Sequence, residues 1–421
     1  MNILSLHRMG DPRKRRAAVE SLEYFMESNF PEYNHFIHDA SLRPSKYIKD
    51  VQWDAILLGS TFLCKVLNDK EFKQTLIDYD WIHSSSAAKI ALPQDDYNCS
   101  QRLDELFVSW RIDLVYTVLP KHHKLLYPRF HVKGEIRTGY TGYIHDELIK
   151  KWKSPKSFKE RKIDVSYRAN KLTANYGHIG YLKGSIGERF IEAVQGQELN
   201  LDISTNPKDV IAGDKWHEFL EESKFCLVSP SGSSVHDPMG TLRNKVLDFM
   251  KKNPRANFKE ISEKCIPKEN GKYVFTAISP RNIEAALAET VQIAIPDDYS
   301  DFLSPYEDYI PLREDFSNIK EVLSIMKDEV RVNSIRKSCK EKILNIPSLK
   351  ITFLANEIND FILKKRSQSE TLNIESSEIA FIKVKKYKNL KIRIYWYKTY
   401  FVDAIKNILK FLKETYEKSK R

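Results

Sequence analysis

A short loop in the second half of the chain combines three residue types that can hold a phosphorylated ligand. Ser279, Pro280 and Arg281 supply a candidate N-cap, a proline at the first helical position and a cation, and Glu284 follows one turn later. The free amide groups at the start of a helix attract anions, and a carboxylate one turn further can accept two neighbouring hydroxyl groups. This spacing predicts a phosphate-binding site. A capped helix with an exposed Glu and Arg is the competing interpretation.

A second loop, which contains Ser231, Gly232 and Ser234, predicts close approach of the backbone to the same ligand. It follows the apolar run Phe225 to Val228, and its small residues leave room for a phosphate or a sugar. The first loop likewise follows an apolar run, Tyr273 to Ile278. We therefore expect both loops at the carboxyl ends of strands, where open α/β sheets bind ligands. A Ser/Gly turn without a ligand is the alternative for the second loop.

Segments with strand and helix patterns alternate along most of the chain, and these elements must position the two loops. Strands are expected at Ile3 to Leu6, Trp53 to Ser60, Lys89 to Pro93 and Ile112 to Leu119, and a new series begins at Ile163. This order favours an α/β fold with mostly parallel, doubly wound sheets. No GxGxxG follows the first strand, so a nicotinamide dehydrogenase is poorly supported.

The length of the chain predicts two domains, because 421 residues exceed the roughly 250 to 300 that one hydrophobic core can serve. We expect an N-terminal domain at residues 1–150 and a polar, basic linker at 151–162. A second domain is expected at 163–345, and a helical, basic extension at 346–421.

The composition favours a cytosolic protein without a membrane span. The five cysteines are scattered without metal-ligand spacing, which is typical of reduced thiols, and no metal site is expected. No stretch reaches the ~20 apolar residues of a membrane span. The net charge of +11 is uneven, since KVKKYKNLKIRIYWYKTY and KETYEKSKR lie in the last fifty residues. Such a tail favours an anionic surface nearby, whereas a nucleic-acid binder would more often spread its charge over one groove.

Several segments together resemble a family of bacterial glycosyltransferases with the GT-B fold, encoded among genes for surface polysaccharides. These segments are KIALPQDDY, IDVSYRANKLTANYGHIGYLKGSIGERF, FCLVSPSGSSVHDPMG, TAISPRNIEAALAETVQI and YSDFLSPYEDYIPLREDFSN. The resemblance covers roughly residues 85–325. It implies two Rossmann-like domains facing across a cleft, with a UDP- or GDP-sugar as the donor substrate, held mainly by the C-terminal domain, and no other cofactor.

The resemblance also implies a role for Glu284. Enzymes of this fold commonly have a glutamate in this helix that hydrogen-bonds the ribose, and Glu284 is similar to it. The usual pattern has another glutamate eight residues earlier, where this chain has Thr276. The paired-glutamate motif is therefore incomplete.

Basic and acidic residues near other strand ends could serve sugar transfer. Arg168 could neutralise charge on a leaving diphosphate, with Lys183 as a second candidate, and a surface cation is the alternative for each. Asp95 and Asp96 could act as general base for the acceptor hydroxyl, and a pair of aspartates that begins a helix is the alternative. The cluster Arg13 to Arg16 could contact phosphate or simply begin a solvated helix.

We expect a glycosyltransferase that transfers a sugar to a surface glycan or its lipid-linked precursor, with no nucleic-acid partner. Two other functions remain open: an inactive GT-B-like scaffold in polysaccharide assembly, and a GT-B-fold sugar-nucleotide epimerase. The segment Tyr400 to Lys420 alternates apolar residues with Lys. It is expected either on the anionic inner face of the membrane or packed back across the N-terminal domain.

Overall fold

The structure contains two parallel β-sheets, each covered by helices on both faces. It is a computed structural model that describes residues 1–10, 17–211, 213–367, 377–386, 395, 397–406 and 408. The predicted phosphate contact Arg13 to Arg16 lies outside these residues. Within them, no helix has the length and apolar composition needed to cross a bilayer.

The first sheet belongs to the N-terminal unit, and its strand order is β2-β1-β3-β4-β5-β6, with every pair parallel. Its strands are β1 (Asn2–His7), β2 (Asn34–Asp39), β3 (Ala55–Leu58), β4 (Ala88–Ala91), β5 (Leu114–Thr117) and β6 (Glu135–Thr138). The helices around it are α1 (Ala17–Asn29), α2 (Ser60–Leu63), α3 (Asp69–Asp78), α4 (Ser100–Ser109) and α5 (His123–Leu126). All four residues of β3, β4 and β5 are buried, as expected for parallel strands covered on both faces.

The second sheet has the order β13-β12-β9-β7-β8, again with every pair parallel. Its strands are β7 (Ile163–Arg168), β8 (Leu201–Ser204), β9 (Ser223–Val228), β12 (Val291–Ala294) and β13 (Ile310–Pro311). The helices of this unit are α7 (Gly177–Ala193), α8 (Asp214–Glu221), α9 (Thr241–Lys252), α10 (Phe258–Cys265), α11 (Pro280–Leu287), α12 (Ile319–Lys327) and α13 (Glu329–Leu344). The two sheets confirm the predicted α/β class with doubly wound parallel sheets.

The apolar run Tyr273 to Ile278 is not a strand of the parallel sheet, contrary to the sequence prediction. Only β11 (Phe275–Thr276) is extended, and it pairs antiparallel with β10 (Gly232–Ser233) in a separate two-stranded ribbon. Phe275, Ala277 and Ile278 are buried, and the Phe275 ring stacks on Tyr97 of the N-terminal unit with centroids 5.9 Å apart, whereas Val274 is 62 % exposed. The buried part of the run thus packs against the N-terminal unit and not within the parallel sheet.

The chain crosses between the two units twice, and the two crossings lie side by side. The first contains α6 (Asp146–Lys151), and the second leads from α13 into α14 (Ile351–Arg366). They touch through a bridge between Ile144 and Lys350. Helix α14 then buries one apolar face in the core of the N-terminal unit, together with Leu22 and Leu114.

Residues 377–386 are helical and also pack on the N-terminal unit. Ala380, Phe381 and Val384 are buried, and the Phe381 ring meets Trp53 edge-on at 5.8 Å. Residues 397–406 are helical as well. The predicted segment Tyr400 to Lys420 lies largely outside the described residues.

Candidate functional site

A cavity of about 190 Å³ lies between the two units, at the start of α11. The N-terminal unit and the first crossing contribute one side, and α8 and α11 contribute the other. Its polar lining includes Ser21, His145, Lys151, Asp214, His217 and Glu284. Since α8 and α11 each precede a strand of the second sheet, their first turns lie at the carboxyl ends of the strands. The cavity therefore opens where α/β sheets bind ligands.

The start of α11 follows the sequence prediction closely. Ser279 is the N-cap and Pro280 is the first helical residue. The side-chain oxygen of Asn282 accepts hydrogen bonds from the Ser279 amide at 3.0 Å and from its hydroxyl at 2.7 Å. From the N-terminal unit, the Thr141 hydroxyl donates to the Ile278 carbonyl at 2.8 Å. The helix start is thus held from both units.

Glu284 points toward the cavity and is held by a tryptophan of the neighbouring helix. The Trp216 indole donates to Glu284 Oε2 at 2.7 Å, and Glu284 is only 7 % exposed. Arg281 lies beside this pair, with its guanidinium over the Trp216 ring at 5.8 Å and over the Tyr167 ring at 4.9 Å. The structure therefore brings Glu284 and Arg281 together, one turn apart, with two aromatic rings that limit the movement of the guanidinium.

Arg168 lies close to Arg281 but already has an anionic partner. Its guanidinium donates to Asp202 Oδ1 at 2.5 Å and to the Asp202 carbonyl at 2.9 Å. Arg281 in turn donates to the backbone carbonyl of Arg168. Asp202 thus compensates the charge of Arg168, whereas Arg281 forms no ion pair among the described residues.

The two histidines of the cavity favour their neutral forms. Burial is the main cause that lowers the pKa of His145. Burial also lowers the pKa of His217, and the positive charge of Lys151 adds to it. Lys151 itself forms an ion pair of 2.7 Å with Asp214. The cavity thus offers neutral imidazoles and a lysine whose charge is compensated by Asp214.

The loop with Ser231, Gly232 and Ser234 does not line this cavity. Gly232 is required by the ribbon, because a Cβ there would lie 1.7 Å from the Phe275 carbonyl oxygen. Ser234 is buried beside Gly177, the first residue of α7, and its amide donates to the Tyr176 carbonyl at 3.0 Å. The small residues allow close approach of protein backbone, and their predicted contact with a ligand stays a prediction.

Lys183 and Ser279 differ in their relation to the cavity. Lys183 lies in the middle of α7, and its backbone carbonyl accepts a hydrogen bond of 2.8 Å from the Tyr167 hydroxyl. The same Tyr167 ring lies under Arg281. Tyr167 therefore contacts both the Lys183 carbonyl and the Arg281 guanidinium. Ser279, in contrast, directly precedes the cavity residue Pro280.

The two predicted acidic residues of the N-terminal unit lie in different environments. Asp96 is 0 % exposed, and its Oδ2 accepts hydrogen bonds from the Thr117 hydroxyl at 2.5 Å and from the Tyr127 hydroxyl at 2.9 Å. Burial raises the pKa of Asp96 to about 6, against the opposing effect of these hydrogen bonds. A side chain without exposed surface offers no approach to an acceptor hydroxyl.

Asp95 is exposed and faces the C-terminal unit. Its backbone has a φ of 49°, and its Oδ1 accepts a hydrogen bond of 2.7 Å from the Tyr97 hydroxyl. Burial, followed by the negative charge of Asp95, raises the pKa of Tyr176 to about 12. The Tyr97 ring in turn packs against Tyr176, which directly precedes α7, with centroids 6.1 Å apart, so Asp95 lies near the boundary between the two units.

A further carboxylate that the sequence pattern did not single out, Asp297, lies in the loop after β12. Its Oδ1 accepts a hydrogen bond of 2.9 Å from Thr276, and burial raises its pKa. Thr276 is the position where the resemblance leads one to expect a glutamate. The one sequence signal for Asp297 was its place at the end of an apolar strand.

The loop that follows Asp297 is unusual, because Tyr299, Ser300 and Asp301 are consecutive non-glycine residues with positive φ. Such backbone is costly and tends to occur at functional sites. Lys121 of the N-terminal unit contacts Asp298 and Asp301 of this loop at 3.1 Å each. The loop thus joins the two units on the cleft side. Among the described residues, no three His, Cys, Asp or Glu side chains come together as a metal site requires.

Comparison with known proteins finds similarity in structure alone. No protein-family model matches the chain, and no curated protein matches it in sequence. A solved α-glucosyltransferase, in complex with UDP-glucose and DNA containing an abasic site, is 10 % identical with a TM-score of 0.50. The match covers 86 % of this chain and 99 % of that one.

Two further solved structures are similar over the same share of the chain. Anabaena HepE in complex with UDP-glucose is 11 % identical with a TM-score of 0.45, and the match covers 86 % of this chain and 100 % of that one. A T4 phage BGT mutant in complex with UDP-glucose is 12 % identical with a TM-score of 0.46, and the match covers 86 % of this chain and 99 % of that one. Together with the two parallel sheets, the α-glucosyltransferase match identifies the fold as GT-B, as the sequence resemblance implied.

Proposed function

We propose that this protein is a glycosyltransferase that moves a sugar from a UDP- or GDP-sugar to a surface glycan or to its lipid-linked precursor. The observation that carries the proposal is Glu284, a carboxylate at the cavity between the units, held by Trp216 at 2.7 Å. It lies one turn from Arg281 at the start of a helix. A carboxylate can accept both hydroxyls of a ribose, while a guanidinium and free amides meet the diphosphate.

The proposed reaction assigns separate tasks to the two units. Asp95 takes the proton of the acceptor hydroxyl, and the acceptor oxygen forms a bond with the anomeric carbon of the donor sugar. The bond between that carbon and the phosphate oxygen breaks, and the nucleoside diphosphate leaves with the bonding electrons. Arg281 and the amides at the start of α11 stabilise its charge. Asp297, whose carboxylate accepts a hydrogen bond from Thr276, is proposed to face the donor sugar.

The charge distribution favours a glycan over a nucleic acid as the acceptor. The α-glucosyltransferase of similar fold was solved with DNA. In the present chain, residues 381–421 contain 13 Lys and Arg against 3 Asp and Glu, which is +10 of the total of +11. Residues 1–380, which contain both sheets, therefore carry a net charge of only +1. A DNA-binding cleft would need a larger excess of cations. We propose that the enzyme works in the cytoplasm at the inner face of the membrane.

Nucleotide binding by the purified full chain tests the proposed site. We expect calorimetric titration with UDP and GDP to show binding of one of them at a single site. Glu284→Gln should weaken that binding by about 10- to 150-fold, since a hydrogen bond to a charged group contributes about 1.5 to 3 kcal/mol. Glu218→Gln on α8 is the matched control, because it removes the same charge from an exposed side chain, and it should leave the affinity unchanged.

Incubation with a panel of nucleotide sugars tests the reaction. We expect release of the nucleoside diphosphate, faster with a suitable acceptor, and loss of that release in Asp95→Asn without loss of nucleotide affinity. Absence of binding to every nucleotide would refute the proposal. An altered nucleotide sugar formed without any acceptor would identify an epimerase. Nucleotide binding without turnover, together with normal surface glycan in cells that carry Glu284→Gln, would identify a scaffold subunit.

A further inference from the structure

The C-terminal part of the chain concentrates nearly all of the net positive charge of the protein. Residues 381–421 carry +10, whereas the 380 residues before them carry +1. A short segment with this charge is attracted to any anionic surface within about a Debye length, roughly 10 Å at 0.1 M salt. The charge alone does not distinguish a nucleic acid from a lipid headgroup layer.

Exposed apolar side chains on the same segment make that distinction. In the helical residues 397–406, Tyr397 is 79 % exposed, Phe401 67 % and Ile405 41 %, and Ile408 beyond them is 59 % exposed. Their spacing of four, four and three residues places them along one stripe of a helix. Lys406 lies on the opposite side from Tyr397, at 100° per residue. An apolar stripe beside a dense set of lysines is typical of a helix that lies in the surface of an anionic bilayer.

The helical residues 377–386 hold the start of this segment on the N-terminal unit. Phe381 is buried against Trp53, and the Ser377 hydroxyl accepts a hydrogen bond of 2.9 Å from the Gln52 amide. The basic segment that follows in sequence is therefore attached to the N-terminal unit at its start. Residues 377–386 contribute buried side chains, while residues 397–406 present exposed ones.

We propose that the apolar stripe formed by Tyr397, Phe401, Ile405 and Ile408 docks the protein on a bilayer that contains anionic phospholipid. The apolar side chains enter the boundary between headgroups and acyl chains, and the surrounding lysines contact the phosphates. This inference does not depend on sugar transfer, because it rests on residues outside the cleft.

Vesicle sedimentation with the full chain tests the inference. We expect binding to vesicles of phosphatidylcholine with 30 % phosphatidylglycerol, and at least tenfold weaker binding to pure phosphatidylcholine. Phe401→Ser with Ile405→Ser should weaken binding at least tenfold without any change of charge. Lys398→Gln with Lys406→Gln should weaken it about fivefold for each charge.

Matched controls come from α3 on the N-terminal unit. Ile77→Ser removes an apolar side chain that is 72 % exposed, and Lys70→Gln with Lys73→Gln removes two exposed charges. Neither control should alter vesicle binding. Equal binding to both kinds of vesicle, or equal loss in the controls, would overturn the inference. A third outcome would also overturn it: the protein does not bind vesicles, sedimentation velocity shows a dimer, and Phe401→Ser with Ile405→Ser is a monomer. The stripe would then join two copies of the chain.

Discussion

Replacement of Asp96 tests whether this buried carboxylate has only a structural role, while the neighbouring Asp95 acts as the general base. Both of its described hydrogen bonds, from Thr117 and Tyr127, end on the same oxygen, Oδ2. The amide oxygen of Asn can accept both, so Asp96→Asn keeps the hydrogen bonds and removes the buried charge. Asp96→Ala instead leaves two buried hydroxyls without an acceptor, which should cost about 2 to 6 kcal/mol.

The sign of the pH effect follows from the raised pKa of Asp96. The pKa of Asp96 in the folded protein is about 6, above the usual 3.8 of an aspartate, so the folded state holds the proton more tightly. This group therefore favours folding at low pH, and that contribution is lost as the pH rises from about 4 to about 6. The shift of roughly two pKa units corresponds to about 3 kcal/mol. The stability of Asp96→Asn relative to the natural protein should rise by that amount between pH 4 and pH 7.

Urea unfolding at a series of pH values measures this difference, and nucleotide release measures turnover. We expect Asp96→Asn to retain turnover, and Asp95→Asn to lose it with little change in stability because Asp95 is exposed. A stability difference that does not vary with pH would show that Asp96 is not desolvated as the structure has it. A folded Asp96→Asn variant that binds nucleotide but has no turnover would refute the assignment of the general base to Asp95.

Two further substitutions test the surroundings of the cleft. Glu23 is buried with its pKa raised to about 7, mainly by burial, and its Oε1 accepts from the Thr61 amide and hydroxyl. The free energy of unfolding of Glu23→Gln, relative to that of the natural protein, should therefore rise by about 3 kcal/mol between pH 4.5 and pH 7. Urea unfolding measures this difference, and a difference that does not change with pH would contradict the burial of Glu23. Gly232→Ala places a Cβ against the Phe275 carbonyl and should lower the stability measured by thermal unfolding by about 2 to 4 kcal/mol. Ser231→Ala should leave the stability unchanged, and equal stability of both variants would refute the close approach of Gly232 to Phe275.

Much of the fold was predictable because buried parallel strands leave apolar runs and helix starts leave caps. The strand β9 (Ser223–Val228) contains the predicted apolar run Phe225 to Val228, and the Ser279-Pro280 start of α11 was predicted in full. The run Tyr273 to Ile278 was misassigned because burial between two units produces the same apolar composition as burial in a sheet. A local pattern does not reveal which surface covers a residue.

The candidate site was predictable only where a residue's role depends on its neighbours in sequence. Arg281 and Glu284 lie one turn apart on one helix, so their proximity followed from spacing. Trp216 and Asp297 belong to other elements than their hydrogen-bond partners Glu284 and Thr276, and no spacing rule in the sequence connects them. The adjacent pair Asp95 and Asp96 appeared equivalent in sequence, yet one is exposed and the other fully buried.

The return of α14 to the N-terminal unit affects the order in which the chain can fold during synthesis. Leu354, Ala355 and Ile358 complete the core around Leu22 and Leu114, but the ribosome makes them about 200 residues after β6, the last strand of that unit. At roughly 5 to 20 residues per second, the incomplete core waits about 10 to 40 seconds for α14. The second unit is therefore expected to finish folding first, while the groove that α14 will fill stays open to chaperones.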